Sequence, residues 1–249
     1  MTMESLDNKL ALVTGAAGVL GHAVAKSFAG AGLRVIMADI DAPRLDRLAS
    51  DIGERAVPLT LDVGSADAIA KTMARVRADH GDVDVLVNNA GILSNNKAAE
   101  TTTEEWRRLM RINLDGAFFM ARECLPAMKS KGWGRIVNIC SLAAKTGGLT
   151  AGTAYTTSKG GMTALTFSLA RESAGDGVTV NGISPAYIRT PMVTEQLTEA
   201  QRQKLLADIP VHRFCEAEEV AHVVQFLVSP LSGFITGEII DINGGLHLD

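Results

Sequence analysis

Seven short runs rich in Val, Ile and Leu recur along the chain, and longer, more polar segments separate them. Most of these runs are almost continuously apolar, which is typical of parallel strands buried on both faces of a sheet. The predicted strands are LALVT (10–14), RVIMAD (34–39), AVPLTLDV (56–63), VDVLVNN (83–89), GRIVNIC (134–140), VTVNGIS (178–184) and EIIDI (238–242).

Several of the separating segments have the 3.6-residue periodicity of amphipathic helices. They include residues 21–30, 66–77, 104–128 and 155–172. Alternating strands and helices imply right-handed βαβ units, and the sequence has no repeat or linker that would divide two domains. The prediction is one α/β domain over residues 1–249, with a doubly wound, seven-stranded parallel sheet of the Rossmann type.

Composition narrows the function classes. The chain is 47% apolar with a net charge of -4 and no basic stripe, so it can build a core and is not expected to bind nucleic acid. No apolar stretch is long enough to span a membrane, and no export signal precedes the first strand. The three widely spaced cysteines and five scattered histidines favour a reducing cytoplasm and no metal site.

A glycine-rich loop, TGAAGVLG (14–21), joins the first predicted strand to the first helix. A helix N-terminus in this place offers free N–H groups and a positive dipole end to a dinucleotide pyrophosphate. Gly15 and Gly18 would let the backbone turn and approach the phosphates, and Gly21 would let helix and strand pack closely. The alternative is a tight βα turn that binds nothing.

Asp39 ends the second predicted strand, 24 positions after Gly15. A carboxylate there can accept hydrogen bonds from both hydroxyls of an adenosine ribose and would repel a 2'-phosphate. The loop contains no Arg or Lys to neutralise such a phosphate, although Arg44 lies nearby in the chain. NAD(H) is therefore favoured over NADP(H), and a solvated or helix-capping carboxylate is the alternative.

The segment Tyr155-Thr156-Thr157-Ser158-Lys159 places a phenol and an ammonium on one helix face. A nearby ammonium favours phenolate, so we expect the pKa of Tyr155 to be lowered toward the range of a general acid or base. Ser141 and Asn89 follow predicted strands at the edge where open α/β sheets bind ligands. Alone, each residue has an ordinary structural role, as a cap or a turn residue.

Asn113 lies inside a long predicted helix, where Asn is a poor helix former and usually has a reason to be present. The ordinary explanation is that Asn113 is a hydrogen-bonded polar group in the core. Taken with the preceding residues, however, it completes an amide, hydroxyl, phenol and ammonium set suited to a nicotinamide site.

The chain resembles the short-chain dehydrogenase/reductase family over essentially its full length. The motifs that carry the resemblance are TGAAGVLG, Asp39, LDV (61–63), NNAG (88–91), Asn113, Ser141, YTTSK (155–159) and SPAYIRTPM (184–192). Parts of the C-terminal third, including LTEAQRQKLLADIPVHRF and FITGEIIDINGG, look like bacterial 3-oxoacyl-carrier-protein reductases.

The resemblance implies a catalytic tetrad of Asn113, Ser141, Tyr155 and Lys159. Tyr155 would exchange the proton with the substrate oxygen, Ser141 would hydrogen-bond that oxygen, and Lys159 would hold the nicotinamide ribose, while Asn113 would anchor a water. The implied cofactor contacts are Gly15, Gly18, Val19, Leu20, Gly21, Asp39, Ile40, Asp62, Val63, Asn89, Ala90, Gly91, Tyr155, Lys159, Pro185, Ile188 and Thr190. Among them, Asp62 and Val63 would meet the adenine, and Ile188 and Thr190 the carboxamide.

Three departures from the family pattern affect the site. The loop has Gly18 and Val19 where the family has an ordinary residue and a glycine, so we expect the turn to be re-formed around Gly18. Pro185 is followed by Ala rather than Gly. Ser141 and Tyr155 are separated by one residue more than is common, and the extra residue is expected in KTGGLTAGT (145–153) beside the substrate.

Residues 187–214 resemble the family's substrate lid. The expected walls of the substrate site are mostly apolar and consist of Leu93, Leu142, Leu149, Tyr187 and Met192, which suits a small ketone or secondary alcohol. Glu195 would attract a cationic substrate if it faced inward, and an unchanged KM for an amine-bearing ketone in Glu195→Gln would reject this.

Three functions remain open at this stage. The leading one is an NAD(H)-dependent alcohol dehydrogenase or ketone reductase, and the second is 3-oxoacyl-thioester reduction on acyl-carrier protein or CoA. The third is a nucleotide-sensing protein, against which the intact tetrad argues. The resemblance also implies a homotetramer formed through residues 104–130 and 155–172, although the small residues Gly160, Gly161, Ala164, Ser168 and Ala170 could equally pack within one subunit.

Overall fold

The structure is a computed structural model that describes residues 5–190 and 198–248. Within these ranges, seven parallel strands form one sheet in the order β3-β2-β1-β4-β5-β6-β7. The strands are β1 (Leu10–Thr14), β2 (Arg34–Asp39), β3 (Ala56–Thr60), β4 (Val85–Asn88), β5 (Gly134–Ile139), β6 (Val178–Pro185) and β7 (Ile239–Ile242). The fold is the predicted doubly wound α/β sheet of the Rossmann type.

Helices cover both faces of this sheet. They are α1 (Val19–Gly30), α2 (Ala42–Ile52), α3 (Ala66–His80), α4 (Thr103–Met110), α5 (Gly116–Lys131), α6 (Ala143–Thr146), α7 (Thr153–Ser173), α8 (Glu199–Asp208) and α9 (Ala217–Val228). A π-helical turn, Arg111–Asp115, joins α4 to α5, and short 3-10 turns occupy Ala174–Asp176 and Pro230–Ser232. No helix in the described ranges is both long enough and apolar enough to cross a bilayer.

Two apolar layers, one on each face of the sheet, explain why the central strands consist mainly of apolar residues. One layer packs α1 and α9 against the sheet around Phe28 and Val224, and the other packs α3 and α5 around Met73 and Met120. Central strands β1, β4 and β5 are buried along their whole length. Because all strands run in parallel, their carboxyl ends, and the loops that follow, lie at one edge of the sheet.

Candidate active site

The glycine loop ends β1 at this edge and begins α1. Gly15 adopts a left-handed conformation with φ of 66°, and the Gly18 N–H donates a hydrogen bond of 3.1 Å to the Gly15 carbonyl oxygen. Gly18 itself is the extended N-cap of α1 with φ of -77°, and Val19 is the first helical residue. The expectation that the turn would be re-formed around Gly18 is therefore wrong, because the left-handed residue is Gly15. Val19 is not strained, since its φ is not positive.

The N-terminus of α1 is prepared for an anion. Gly18 provides no side-chain cap, and the first turn contains no acidic residue. The first N–H groups of a helix have no partner inside the helix, so those of α1 remain available to a ligand. Together with the helix dipole they suit a phosphate group, so the loop fits the pyrophosphate of a dinucleotide.

Close packing explains why positions 15 and 21 of the loop are occupied by glycine. A Cβ on Gly21 would lie 2.3 Å from the Gly15 carbonyl oxygen, and one on Gly15 would lie 2.8 Å from the Cα of Ala90. Asn89 holds the loop from the neighbouring strand, since its amide donates to the carbonyl oxygens of Thr14 at 2.9 Å and Gly15 at 3.1 Å. Asn89 thus has a structural role in addition to its predicted place beside the cofactor cleft.

Asp39 lies at the end of β2, next to the glycine loop. One carboxylate oxygen accepts the Ala17 N–H at 2.9 Å, and the other accepts the Asp41 N–H at 3.1 Å. A carboxylate has about four lone-pair sites, so both oxygens can still accept ribose hydroxyls. The negative charge is thereby fixed at the edge of the loop. The alternative of a carboxylate that merely caps a helix does not apply, because Asp41 is the N-cap of α2.

Four further predicted cofactor contacts, Ile40, Asp62, Val63 and Ala90, lie near the carboxyl ends of β2, β3 and β4. Ile40 is 68% exposed, so its apolar side chain is accessible to the flat ring of a bound ligand. The Asp62 carboxylate accepts the Gly64 N–H at 2.8 Å, which shapes the turn after β3. Val63 and Ala90 border a small void beneath this turn together with Thr14.

Tyr155 and Lys159 lie on the first turns of α7, as the spacing predicts. Lys159 is buried, and its Nζ donates a hydrogen bond of 2.6 Å to the Ile139 carbonyl oxygen. The ammonium lies 6.0 Å from the centre of the Tyr155 ring. Burial lowers the pKa of Lys159 from 10.5 to about 8, because the charged form loses its hydration.

The pKa of Tyr155 moves in the opposite direction to the expectation. Burial raises it above the ordinary value of 10, a hydrogen bond from Ser141 opposes the rise, and the neighbouring Cys140 adds to it. The predicted lowering by Lys159 is wrong for the protein alone, since desolvation is the largest effect on both groups. The phenol is consequently protonated at neutral pH.

Ser141 lies two residues after the end of β5 and lines the same cavity as Tyr155 and Lys159. Its Oγ accepts the Ala143 N–H at 3.2 Å at the start of α6. The Leu142 N–H donates to the Pro185 carbonyl oxygen at 3.1 Å, which ties this turn to the end of β6. Ser141 is not the N-cap of α6, which is Leu142, so the interpretation as a helix cap is wrong. Its hydroxyl shapes the local turn and also hydrogen-bonds the Tyr155 phenol.

Asn113 is fully buried in the π-helical turn between α4 and α5. Its amide oxygen accepts the Ile92 N–H at 2.8 Å, and its amide nitrogen donates to the Ile92 carbonyl oxygen at 2.9 Å and the Ser158 hydroxyl at 3.1 Å. A π-turn inserts one residue and is frequent at functional sites. Here it turns the Asn113 amide toward Gly91 and the buried ammonium.

One cavity of about 600 Å³ connects these parts. The predicted site residues that line it are Gly18, Val19, Asn89, Gly91, Ser141, Tyr155, Lys159, Pro185, Ile188 and Thr190. The cavity thus runs from the N-terminus of α1 to the phenol and ammonium of α7. The remaining predicted contacts, Gly15, Leu20, Gly21, Asp39, Ile40, Asp62, Val63, Ala90 and Asn113, lie outside its lining.

The comparisons with known proteins agree with this arrangement. A family model described as enoyl-(acyl carrier protein) reductase matches residues 15–247. The chain belongs to the short-chain dehydrogenase/reductase family. It is accordingly an oxidoreductase of that family.

Relatives and solved structures cover almost the whole chain. It is 36% identical to the 3-oxoacyl-[acyl-carrier-protein] reductase of Haemophilus influenzae, over 98% of this chain and 100% of the relative. It is 38% identical to the Thermotoga maritima enzyme of the same name, over 97% and 98%. A crystal structure of a short-chain dehydrogenase/reductase, glucose/ribitol dehydrogenase, from Brucella melitensis superposes with a TM-score of 0.91, with 36% identity and all of both chains covered.

The other two departures from the family pattern also lie at the cavity. Ala186 follows Pro185 and donates its N–H to the Ile242 carbonyl oxygen at 3.0 Å, so β6 stays paired with β7 at this point. The loop with the extra residue contains two successive left-handed glycines, Gly147 and Gly148, with φ of 74° and 80°. Leu149, Thr150 and Ala151 of this loop line the cavity, as expected of a segment beside the substrate.

Several lining residues were not predicted. Arg44 reaches the cavity from α2 beside Gly18, although in the sequence it was noted only as a nearby cation. Leu205 from α8 and Leu246 from the C-terminal segment close the other end. No local motif marks them, because they come from elements distant in sequence. Among the described residues, no group of three or more His, Cys, Asp or Glu side chains could hold a metal ion.

The predicted substrate walls are only partly covered by the structure. Leu93, Leu142, Leu149 and Tyr187 line the cavity as expected. Met192 and Glu195 lie outside the described residues, so the hypothesis of a cationic substrate stays a prediction. The predicted lid, residues 187–214, includes α8, which contributes Leu205 to the cavity wall.

Proposed function

We propose that the protein is an NAD(H)-dependent oxidoreductase that interconverts small ketones and secondary alcohols. The observation that carries this proposal is the shared cavity. Its one end is the uncapped N-terminus of α1, and its other end contains Ser141, Tyr155 and Lys159. A dinucleotide with phosphates at one end and a reactive ring at the other matches those two ends.

The cofactor would be held by residues at three places. Its pyrophosphate fits the N–H groups at the start of α1, its adenosine ribose the Asp39 carboxylate, and its nicotinamide ribose the Tyr155 and Lys159 side chains. When bound, the nicotinamide supplies or accepts a hydride. The buried Lys159 ammonium donates to the Ile139 carbonyl oxygen, and an ammonium has three donors, so ribose hydroxyls and a nearby water would complete its hydrogen bonds.

Tyr155 would exchange the proton with the substrate oxygen. Because burial raises its pKa, the phenol is protonated at neutral pH and can act as the acid during ketone reduction. Ser141 would donate a hydrogen bond to the same oxygen as negative charge develops on it. Asn113, held by Ile92 and Ser158, would orient a water that connects Lys159 with solvent.

The preference for NAD(H) rests on Asp39. Its carboxylate is fixed against the loop at Ala17, where a 2'-phosphate would lie close to it. Arg44 acts against this preference, since this cationic residue lines the same cavity as Gly18 and Val19. Arg44 is exposed on α2, whereas Asp39 is anchored by two hydrogen bonds. The Asp39 carboxylate is the stronger determinant of cofactor preference, because its two hydrogen bonds prevent it from turning away from the cofactor.

The proposed substrate class is inferred from the charge and polarity of the residues that line the cavity. Leu93, Leu142, Leu149, Leu205 and Leu246 surround the end of the cavity beyond Tyr155. Among the described lining residues, the cationic ones are Arg44 beside the glycine loop and the catalytic Lys159. The segment 191–197 (PMVTEQL) adds no Lys or Arg. A neutral ketone with an apolar arm suits these walls better than a carboxylate does.

A second candidate is reduction of a 3-oxoacyl thioester. The relatives named 3-oxoacyl-[acyl-carrier-protein] reductase, at 36% and 38% identity, favour it. The same phenol, hydroxyl and ammonium would serve both reactions, because each reduces a ketone oxygen. The two candidates therefore differ in the arm of the substrate rather than in the chemistry.

Steady-state assays would separate them. Neutral ketones with arms of increasing length, and acetoacetyl-CoA as thioester, would be reduced with NADH and NADPH in parallel. The proposal expects higher kcat/KM for a neutral ketone with NADH than for the thioester with either cofactor. The reverse order with NADPH would establish the thioester function, and cofactor binding without turnover of any substrate would favour a nucleotide-sensing role.

We also propose that the protein forms a homotetramer. Trp106, Phe118 and Phe167, on α4, α5 and α7, are 39%, 40% and 49% exposed. Large exposed apolar side chains on neighbouring helices are typical of interfaces. Gly161 packs against Leu114 of its own chain, whereas Gly160 has open space around it, so only part of the small-residue set is free to meet another subunit. The molar mass in solution, measured by light scattering, would test this.

A further inference from the structure

The loop between α6 and α7 (residues 147–152) forms one wall of the cavity, yet its sequence gives it little intrinsic stiffness. Its first two residues are the left-handed glycines described above, and glycine has the greatest backbone freedom of any residue. The middle of the loop carries Leu149 and Thr150, which face the cavity. The position of this wall must therefore be fixed by contacts from outside the loop.

Lys97 provides those contacts. Its Nζ donates to the Gly148 carbonyl oxygen at 3.1 Å and to the Ala151 carbonyl oxygen at 2.7 Å. These two carbonyls are on either side of Leu149 and Thr150, so one ammonium holds both ends of the segment that meets the substrate. Hydrogen bonds from a charged donor are about twice as strong as neutral ones.

The loop that bears Lys97 (residues 92–97) is itself anchored. The Glu105 carboxylate accepts hydrogen bonds from the Ser94 hydroxyl and, at 2.9 Å, from the Asn96 amide. These bonds lower the pKa of Glu105, which keeps it ionised and able to accept.

The two loops are also joined through their backbones. The Gly152 N–H donates to the Ser94 carbonyl oxygen at 2.8 Å, and the Thr153 N–H donates to that of Asn96 at 3.1 Å. A Cβ on Gly152 would lie 2.3 Å from the Asn96 carbonyl oxygen, so the approach is as close as glycine allows. Lys97 thus belongs to an anchored loop, and its side chain reaches the neighbouring loop that contains Gly147 and Gly148.

We propose that Lys97 is a positioning residue that sets the substrate wall and so determines which ketones the enzyme accepts. The proposal rests on the function proposed above. Lys97 does not line the cavity, so it acts through Leu149 and Thr150 rather than by touching the substrate. Thr150 in turn shares a hydrogen bond of 3.3 Å with the Tyr187 hydroxyl on the opposite wall. Loss of the Lys97 contacts would loosen this pair and widen the site.

Kinetics with two ketones would test the role. Lys97→Met keeps the length of the side chain and removes both hydrogen bonds, whereas Lys97→Arg keeps the charge and the donors. For a ketone with a long apolar arm, we expect Lys97→Met to raise KM about tenfold with little change in kcat, because both hydrogen bonds that hold this wall are lost. A ketone too small to reach the wall should show no change. Lys97→Arg should restore most of the effect, and Lys71→Met, on the exposed face of α3, should behave as wild type.

A measurement without substrate keeps this proposal separate from the proposed function. Hydrogen–deuterium exchange of the peptide that covers residues 147–153 should be faster in Lys97→Met than in wild type, Lys97→Arg and Lys71→Met. Lys97→Gln, which is too short to reach both carbonyls, should match Lys97→Met. Unchanged exchange in Lys97→Met, an equal loss of kcat for both ketones, or no rescue by Lys97→Arg would each overturn the proposal. If no ketone is turned over, faster exchange in Lys97→Met with unchanged cofactor affinity still supports the positioning role of Lys97. In that case only the proposed function fails.

Discussion

Cofactor choice is decided at the scale of single residues, between a fixed carboxylate and a movable guanidinium. Asp39→Asn removes the charge and keeps one oxygen able to accept the Ala17 N–H. We expect it to shift the ratio of dissociation constants toward NADPH by about tenfold, the value of a modest electrostatic term. Fluorescence titration of each cofactor measures this directly.

A double substitution gives the control for that shift. In the Asp39→Asn background, Arg44→Gln should reverse the gain in NADPH affinity, because Arg44 is the cation beside the loop. An unchanged ratio in Asp39→Asn would show that Asp39 does not set cofactor preference.

Tyr155 should give the two reaction directions different pH dependences. Ketone reduction needs the protonated phenol, which the raised pKa maintains through neutral pH. Alcohol oxidation needs a phenolate to accept the proton, so its kcat should rise with pH from neutral toward the alkaline range, while kcat for reduction should not. Parallel profiles in the two directions would mean that another group titrates.

At the scale of elements, the glycine loop is the most sensitive part of the site. Gly21→Ala places a Cβ within 2.3 Å of the Gly15 carbonyl oxygen, which is backbone and cannot move freely. We expect it to destabilise the protein by about 1–3 kcal/mol and to weaken cofactor binding. Chemical denaturation and cofactor titration provide the two measurements.

Gly30→Ala is the matched control in the same helix, since a Cβ there meets nothing within 4 Å. It should leave cofactor binding unchanged and stabilise α1 by up to about 1 kcal/mol. Equal effects of the two substitutions would show that helix propensity, rather than close packing, governs the loop.

Most elements were predictable because local pattern determines them. The central strands are buried runs rich in Val, Ile and Leu, and the outer strands β3 and β7 are only partly buried. The strands differ from the prediction only at their ends, for example with β3 ending at Thr60 and β4 beginning at Val85. The helix predicted over 104–128 is interrupted by a π-turn at Arg111–Asp115. The sequence could not show this turn, because it depends on the bonds of Asn113 to Ile92 and Ser158.

In the site, too, residues determined by local pattern were predictable, and features that depend on tertiary contacts were not. Ser141, Tyr155 and Lys159 were predictable, since parallel strands bring their carboxyl ends together and a spacing of four aligns the last two on α7. The environment that raises the pKa of Tyr155 was not, because burial arises from residues that no motif links. Lys97 and Leu246 were missed for the same reason, and Leu205 was predicted only as part of the lid segment 187–214.

At the scale of the whole molecule, buried Lys159 links stability to pH. Its pKa is about 8 in the folded protein and about 10.5 when exposed, so between those values the unfolded state binds more protons. The free energy of unfolding of wild type should therefore rise with pH across that window relative to Lys159→Met, by roughly 1.4 kcal/mol per pH unit at the steepest.

Denaturant unfolding of both proteins at several pH values from 7 to about 10.5 checks this, with thermal unfolding as a second probe. Below pH 8 the difference between the two proteins should be constant, since Lys159 is then charged in both the folded and the unfolded state. A difference that does not change with pH would mean that Lys159 is not desolvated in the folded protein.

The most direct test is the rate of NADH oxidation with a neutral ketone, measured for wild type and Tyr155→Phe. We predict turnover by wild type with NADH preferred over NADPH, and a kcat lower by about 10²- to 10⁴-fold in Tyr155→Phe, measured at an NADH concentration that saturates both proteins. Turnover in Tyr155→Phe equal to wild type would contradict the role of the phenol, and a preference for NADPH would contradict the role of Asp39.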